Sequence, residues 1–534
     1  MKNLVNQLSF FKKSILCFGL VVMASLSFSA CTDLSEEVFS EVTESNFVAS
    51  ESDIIAIMAS AYTPLRYVMA WQGLFDLQEE PADALVTPTR PNGWDDAGTY
   101  KRMHFHEWTK TEWQPRNTWV TCFNGINAAN RVMLQMESGK FPITEEQKTA
   151  ILAEMRAVRA LYYSILVDTH GNVPIIPNYS DQLPVQNTRT EVYNFIISEL
   201  NEVIPNLASK VDKSTYGRMT QWAAYHVLAR VYLNAEVYSG TPQWQKCIEA
   251  CNKIIESGLF KKSDSYKAIF NATNETNPEM VFAIPYDQLY APGFSAHMKM
   301  LLPGHRRVFG MEAQPWGGSS CNPQFIDTYN PKDNRLEDTW LMGNQYSADD
   351  GSIVFALTKA MPSITFCEET EGFRCGKYQI QRGARTDLNN DFPFLRYTDV
   401  LMMKAECLLR TGQSSEAATI VTEVRTRSFD NAADALVTGT ELQANSVFKY
   451  GTLAKNGTID QLGDQTAVPY GRFLDELGWE FAAEGRRRTD LIRFGVYQKK
   501  NWYNHVPKGD YTTLFPIGLE EMNTNKNLKQ NPGY

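Results

Sequence analysis

Helical periodicity is the feature that most constrains the fold of this 534-residue chain. Thr144 and Gln147 have the spacing of a capping box, and apolar residues then recur every three or four positions from Ile151 to Ile165. This pattern predicts a helix that runs to about Asp168. Comparable patterns predict helices at 221–234, 244–257, 397–410 and 414–427, and around 53–65, 119–136, 190–204 and 472–494. The chain is therefore predicted to be mainly α.

The late helices at 397–410 and 414–427 form a pair whose length is close to the roughly 34 residues of a tetratricopeptide repeat. Earlier pairs depart from that period, and a long connection at 171–190 interrupts one of them. The sequence thus predicts a tetratricopeptide-like scaffold of helix pairs, at about 45–258 and 396–430.

Two long regions, at about 69–115 and 259–395, do not have a helical pattern. They are rich in Gly, Pro, Asn and aromatic residues, with short strand-like runs such as 280–284. Long irregular segments in a compact protein are usually functional or disordered, and the aromatic content argues against disorder. We expect these regions to form a loop-rich ligand-binding portion with minor strands. No linker divides residues 31–534, which we predict to be one domain.

The N-terminus has the pattern of a secretion signal. Lys12 and Lys13 precede an apolar stretch at 15–24, and small residues then lead to Cys31. A cysteine at this point is similar to a bacterial lipobox, although Phe28 stands where an aliphatic residue is usual. A transmembrane helix is the alternative, but the apolar run is shorter than the ~20 residues it needs. We predict a lipoprotein signal peptide at 1–30 and acylation of Cys31, since several acyl chains give a stable anchor.

Charge and cysteine content narrow the possible partners. Removing residues 1–30 takes three lysines and no acids from 51 basic and 61 acidic residues, which leaves a net charge of −13. That sign argues against nucleic acid and anionic lipid as main partners. Cys367 and Cys375 could bridge a hairpin, but their spacing alone does not establish the geometry.

A series of motifs along the chain resembles the SusD/RagB family of outer-membrane nutrient-binding lipoproteins. Their order and spacing together make the resemblance specific, and it covers nearly the whole chain. The motifs are Glu154–Tyr163 with Asp168–Ile175, Arg396–Leu409 with Val421–Arg427, Glu480–Arg493, Phe515–Gly518 and Gln530–Tyr534.

This resemblance implies a fold of four repeat-like helix pairs with an irregular ligand-binding part. It implies non-catalytic binding of a polysaccharide or oligosaccharide at the cell surface, without a cofactor. It also implies a partner, a SusC-like TonB-dependent transporter in the outer membrane, on which such a protein sits as a lid. Some relatives, including the RagB branch, serve peptides instead, so peptide binding is an alternative.

A sugar-binding surface needs exposed flat rings, because a pyranose has apolar C–H faces and a rim of hydroxyl groups. The loop at 90–96 offers a ring with polar neighbours, and glycines beside Trp316 would leave that ring open. The resemblance also implies platform aromatics in these two regions. We predict three stacking rings and three hydroxyl partners, while Trp71, Trp108 and Trp113 stay unassigned. The rings are Trp94, Trp316 and Tyr290, and the hydroxyl partners are Asn92, Asp83 and Arg90.

A glycoside hydrolase is the enzymatic alternative, since two carboxylates can suffice for that reaction. Glu480 and Glu484 are four residues apart, but the neighbouring arginines at 486–488 indicate structural ion pairs. No nucleophile elbow, HExxH helix or phosphate-binding glycine loop occurs. His104 and His106 alternate on a predicted strand without an evident third ligand, and 347–351 resembles a calcium loop that lacks its closing Glu. We therefore predict no catalytic residue and no metal site.

Overall fold

Helices form the main regular structure of the computed structural model, which describes residues 51–91 and 94–534. The signal peptide and the acylation of Cys31 predicted above lie outside the described residues. The α-helices are α1 Glu51–Tyr62, α2 Leu74–Glu79, α3 Thr99–His104, α4 Trp113–Glu137, α5 Glu145–Thr169, α6 Arg189–Val203, α7 Gln221–Leu233, α8 Ala235–Ser239, α9 Trp244–Glu256, α10 Ala296–Met300, α11 His305–Phe309, α12 Pro323–Ile326, α13 Arg335–Thr339, α14 Tyr397–Arg410, α15 Ser414–Arg425, α16 Ala432–Ala435, α17 Gly439–Gln443, α18 Gly471–Phe481, α19 Arg487–Arg493 and α20 Leu519–Thr524.

The longer helices pack against one another in chain order. Helix α1 contacts α4, and contacts then follow between α4 and α5, α5 and α6, α6 and α7, α7 and α9, α9 and α14, and α14 and α15. Each helix buries its apolar face against its neighbours, as in a stack of helix pairs. The prediction of a mainly α scaffold of helix pairs is confirmed.

Local signals set several helix ends where the sequence predicts them. At the start of α5, the backbone N–H of Gln147 donates to Thr144 Oγ1 at 3.2 Å and the backbone N–H of Thr144 donates to Gln147 Oε1 at 2.9 Å. This is the predicted capping box, and the helix ends at Thr169, one residue from the expected end. Helix α14 has the predicted bounds, Tyr397–Arg410.

The prediction of one helix around 472–494 is wrong. The chain leaves the helical conformation after Phe481, and Ala483 has a φ of 58° before α19 begins at Arg487. The backbone N–H groups of Gly485 and Arg486 donate to Glu79 Oε1 at 2.8 and 3.1 Å. A carboxylate from far away in the sequence thus satisfies the backbone groups that a continuous helix would have paired internally.

The strands are short and form two-stranded ladders. Strand β2 (Met280–Ile284) has the predicted bounds and pairs antiparallel with β8 (Phe392–Arg396). Strand β1 (Leu85–Val86) pairs antiparallel with β3 (Ser320–Cys321) through Leu85–Cys321 and Val86–Ser320. The β1–β3 ladder joins the two loop-rich regions, so residues near 90 and near 318 lie side by side. The strands are β1 Leu85–Val86, β2 Met280–Ile284, β3 Ser320–Cys321, β4 Trp340–Leu341, β5 Gly343–Tyr346, β6 Ile353–Leu357, β7 Arg374–Cys375, β8 Phe392–Arg396, β9 Gly451–Thr452 and β10 Trp502–Tyr503.

One further sequence hypothesis, the hairpin disulfide, is tested by the described part of the chain. Cys367 and Cys375 are both buried free thiols, so they do not form the hairpin disulfide that their spacing allowed. None of the helices within 51–91 and 94–534 is both long enough and apolar enough to cross a membrane.

Candidate functional site

Three tryptophans from distant parts of the chain meet in a group that we call the tryptophan cluster (Trp71, Trp113 and Trp316). The ring centroids of Trp71 and Trp316 are 5.9 Å apart, and those of Trp71 and Trp113 are 6.3 Å apart, both edge to face. Trp71 and Trp113 are 39% and 40% exposed, and Trp316 is half-buried. Large rings left open together are a feature of binding surfaces, because covering them with a ligand gains hydrophobic free energy.

Backbone contacts fix the positions of these rings. The backbone N–H of Trp71 donates to Ser295 Oγ at 3.0 Å, just before α10. The backbone N–H of Trp316 donates to the carbonyl oxygen of Met298, within α10, at 2.7 Å. Helix α10 therefore holds Trp71 and Trp316 side by side, and Trp113 is the first residue of the long helix α4.

Trp94 lies next to the tryptophan cluster and is half-buried. Its ring stacks on Tyr100, with centroids 5.5 Å apart and planes inclined by 14°. The edge of the same ring rests on Gly318, where an added Cβ would lie 2.6 Å from the ring. Glycine is thus required at 318 for Trp94 to pack against the backbone that carries Trp316.

Buried polar side chains fix the tyrosine ring on which Trp94 stacks. The hydroxyl of Tyr100 donates to Asp76 Oδ2 at 2.9 Å, and Lys299 Nζ lies 4.3 Å from the centre of the Tyr100 ring. Lys299 pairs with both Asp76 and Glu80, and all three side chains are at most 1% exposed. These ion pairs hold Tyr100, and through it the ring of Trp94, in one orientation.

The loop between Trp94 and α3 carries backbone strain and polar groups. Asp96 and Ala97 have φ values of 43° and 51°, in the left-handed region that costs non-glycine residues free energy. Burial raises the pKa of Asp96, and a hydrogen bond with the Trp71 side chain acts in the opposite direction. The neighbouring Asp95 pairs with Lys101 at 2.5 Å, and both side chains are partly exposed. The loop and the first turn of α3 therefore place carboxylates and an ammonium group beside the rings.

Tyr290 is 86% exposed at the tip of a tight turn. Asp287 Oδ1 accepts hydrogen bonds from the backbone N–H groups of Leu289 and Tyr290, each at 2.8 Å. The same segment is attached to the turn that carries Trp71, because the backbone N–H of Ser295 donates to the carbonyl oxygen of Met69 at 3.2 Å. Tyr290 thus projects from a segment that borders the tryptophan cluster.

Two predicted hydroxyl partners are corrected by the structure. Asp83 is fully buried and forms two hydrogen bonds with the guanidinium of Arg487, at 2.7 and 3.0 Å. Arg90 is 2% exposed and donates to the carbonyl oxygens of Glu368 and Glu371 at 2.6 and 2.9 Å. Both side chains hold loops together inside the protein and do not reach the rings' exposed side. Asn92, the third predicted partner, lies outside the described residues.

The structure adds Trp71 and Trp113, which the sequence left unassigned. Trp108, the other unassigned tryptophan, is buried, and its indole N–H donates to the Tyr534 hydroxyl at 2.6 Å. Their neighbours in the sequence do not separate them from Trp108, since all three tryptophans have polar or small residues on both sides. Trp71 and Trp113 meet only through tertiary packing.

The carboxylate pair singled out in the sequence is enclosed by cations. Glu480 is fully buried and pairs with Arg396, Arg427 and Arg335, while Glu484 pairs with Lys377 and Arg396. Burial alone would raise the pKa of Glu480, but the guanidinium groups, Arg427 first, lower it to about 2. A general acid needs a raised pKa and access to substrate, and Glu480 has neither.

The two histidines considered as metal ligands are not on a strand. His104 ends α3 and His106 follows with a φ of 54°. Both are buried, and burial lowers the pKa of each to about 3. In the described part of the chain, no three His, Cys, Asp or Glu side chains group as possible metal ligands.

Comparison with known protein families gives two matches. A model described as the SusD family matches residues 270–534, and a model described as "Starch-binding associating with outer membrane" matches residues 35–233. Among curated proteins, the starch-binding protein SusD of Bacteroides thetaiotaomicron is 24% identical over 488 residues, which cover 80% of each chain.

Solved structures of SusD-like proteins have the same fold. Surface glycan-binding protein A from Bacteroides uniformis aligns with a TM-score of 0.66 at 20% identity, covering 90% of this chain and 99% of that one. A laminarin-binding SusD-like protein aligns with a TM-score of 0.67 at 20% identity, covering 91% and 100%. The two family models, which between them match most of the chain, together with these relatives show that the chain belongs to the SusD family.

Proposed function

We propose that this protein binds a polysaccharide or oligosaccharide at the cell surface, without catalysis, and delivers it to a SusC-like TonB-dependent transporter in the outer membrane. The observation that carries the binding proposal is the tryptophan cluster with Trp94 beside it. Partly exposed rings can stack on the apolar faces of sugars. The neighbouring Asp95 and Lys101 can form hydrogen bonds with sugar hydroxyl groups.

The positions of the rings favour an extended ligand over a small one. Trp71 lies between Trp113 and Trp316, at 6.3 and 5.9 Å between ring centroids, and both Trp71 and Trp113 are exposed to solvent. Tyr290 adds a fully projecting ring on the segment that borders the cluster. An open row of rings suits a chain of sugar units, each unit making one weak stacking contact.

The family relationship supports the same class of ligand. The relatives compared above are described as binding starch, surface glycans and laminarin. They differ in the named glycan, and the low identity of this chain to each of them leaves its own glycan to be found by experiment.

Removing two rings of the tryptophan cluster is expected to abolish most of the binding. We expect the double variant Trp71→Ala, Trp316→Ala to weaken glycan affinity by about 100-fold or more, because central aromatic contacts contribute about 2 kcal/mol each. Affinity electrophoresis through gels that contain starch, laminarin and other plant, fungal and host polysaccharides measures the effect.

Tyr346→Ala is the matched control, since this tyrosine is 54% exposed on the β5–β6 hairpin. It should migrate like the wild type. If the double variant were retarded as strongly as the wild type, the tryptophan cluster would not be part of the binding site. No retardation of the wild type by any polysaccharide would favour the alternative, a peptide ligand.

The surface location in this proposal depends on Cys31, which follows the predicted signal peptide. Acylation there would anchor the protein to the membrane through several chains. We expect Cys31→Ser to move the protein from the membrane fraction to the soluble fraction of the host cell, as measured by immunoblotting. Cys17→Ser, within the predicted signal peptide, is the control and should leave the protein in the membrane fraction. Retention of the Cys31→Ser variant in membranes would contradict the lipid anchor.

A further inference from the structure

A cavity of about 430 Å³ lies beside the first half of α4, apart from the tryptophan cluster. Its volume is within the range of small-molecule sites, about 300–1,000 Å³. The lining comes from Arg116, Trp119, Phe123 and Asn127 of α4, from the loop at 174–184 and from the C-terminal residues 520–528.

The walls of this cavity are tied together. The side chain of Asn525 donates to the carbonyl oxygen of Pro184 at 2.9 Å, which joins the C-terminal wall to the loop. The side chain of Asn130 donates to the carbonyl oxygen of Ile176 at 2.9 Å, which joins the loop to α4. Because each wall is held by hydrogen bonds, the cavity exists before any ligand arrives, as ligand sites usually do.

The lining combines apolar rings with hydroxyl-binding groups. Phe123 is half-buried and packs on the buried ring of Trp119, with centroids 4.7 Å apart, so Phe123 gives the cavity an aromatic surface. Asn127 and Thr524 are exposed polar residues at the cavity. A sugar ring needs this combination, with one apolar face covered and its hydroxyl groups met by amides and hydroxyls.

The charge of the lining selects neutral sugars. Arg116 pairs with both Glu520 and Glu521, and its Nε is 3.3 Å from Glu521 Oε1. Two carboxylates against one guanidinium leave the wall with a net negative charge. Uronate, sulfate and phosphate groups would therefore be repelled.

Helix α4 leads from the tryptophan cluster to the cavity. Trp113 is one turn before Arg116, and Asn127 lies fourteen residues after Trp113, a rise of about 21 Å. The backbone N–H of Leu519 donates to the carbonyl oxygen of Lys110 at 3.0 Å, so the C-terminal wall is attached to the segment that enters α4. A glycan that stacks on Trp113 can continue along α4 into the cavity.

We propose that this cavity is a second subsite for a neutral oligosaccharide, which takes the sugar units beyond those held by the tryptophan cluster. This inference rests on the proposed function, because it extends the same ligand along α4. It gives a role in binding to the C-terminal residues 520–528, which lie outside the tryptophan cluster.

Two substitutions fill the cavity from opposite walls. Thr524→Trp acts from α20 and Asn127→Trp from α4, both at exposed positions. The matched controls are Asn523→Trp and Asn124→Trp, which place the same ring at exposed neighbours that do not line the cavity. Thermal melts by circular dichroism check that all four variants fold.

The measurement is calorimetric titration with starch-derived and laminarin-derived oligosaccharides graded by length. We expect both filling variants to bind the longest oligosaccharides about tenfold more weakly and the shortest ones like the wild type, with the controls unchanged. Wild-type affinity of both filling variants at every length would overturn the second subsite while the proposed function stands. Failure of the wild type to bind any oligosaccharide would overturn both.

Discussion

Glu480→Gln is expected to lower the free energy of unfolding by about 3–5 kcal/mol, because it removes one partner from a buried group of ion pairs. Glu480 Oε1 lies 2.9 Å from Arg396 Nη1 and also pairs with Arg427, and Oε2 lies 3.3 Å from Arg335 Nη1. All four side chains are at most 1% exposed. Glutamine has nearly the same shape but leaves the three guanidinium groups short of negative charge.

The ion pairs around Glu480 connect distant parts of the chain. Glu279, just before β2, pairs with Arg396 and Arg427, and Glu476 of α18 pairs with Arg335. The late helices are thereby joined to the strands β2 and β8. Loss of Glu480 should therefore weaken the contact between the helical scaffold and the loop-rich region.

Urea unfolding followed by circular dichroism and tryptophan fluorescence measures this effect, provided that the two transitions coincide. Glu312→Gln is the control, because its ion pair with Arg385 has both side chains more than half exposed. An exposed pair of this kind contributes about 1 kcal/mol at most. If the two variants unfolded at the same urea concentration, the buried ion pairs would contribute no more than a surface pair.

The sequence predicted those parts of the fold that local interactions decide. The capping box of α5, the bounds of α14 and the run at β2 each depend on residues a few positions apart. The break after Phe481 was missed because its partner, Glu79, is about four hundred residues away. No local pattern in a helical sequence reports such a contact.

The sequence likewise predicted only part of the candidate site. Trp94 and Trp316 were selected for their loops, and the structure brings both to the backbone around Gly318. Asp83 was selected because it is near Trp94 in the sequence, but its side chain turns inward to Arg487. Sequence proximity does not determine which side of a loop a residue faces.

Mild acid is expected to destabilise the protein strongly, because all seven histidines of the chain are buried. Burial is the first cause in each case and lowers the pKa of His104, His106, His170, His226 and His305 to about 3 and that of His297 to about 4. It also lowers the pKa of His505 well below its usual value.

The sign of the effect follows from proton uptake. In the unfolded chain each histidine binds a proton near pH 6.5, whereas the folded protein keeps its histidines neutral to a much lower pH. The unfolded state therefore binds more protons below pH 6.5, and stability falls as the pH falls, by up to about 1.36 kcal/mol per pH unit for each site.

Buried carboxyl groups such as Glu79 and Asp475 act in the opposite direction. Burial raises the pKa of Glu79 to about 7 and that of Asp475 to about 6, so these groups are protonated in the folded state before they are in the unfolded state. They stabilise the fold as the pH falls. These carboxyl groups oppose the seven histidines only in part, so we expect a net loss of stability as the pH falls from 6.5 towards 4.

Thermal melts by circular dichroism across this pH range measure the loss. We expect the melting temperature to drop steeply below pH 6.5, and the unfolding transition to take up several protons, as measured by calorimetry in buffers of different ionisation enthalpy. Glu79→Gln removes one of the groups that stabilise the fold in acid. The melting temperature of this variant should therefore fall more steeply than that of the wild type as the pH is lowered. A melting temperature that stayed constant between pH 7 and pH 5 would mean that the histidines accept protons without unfolding, which their complete burial makes costly.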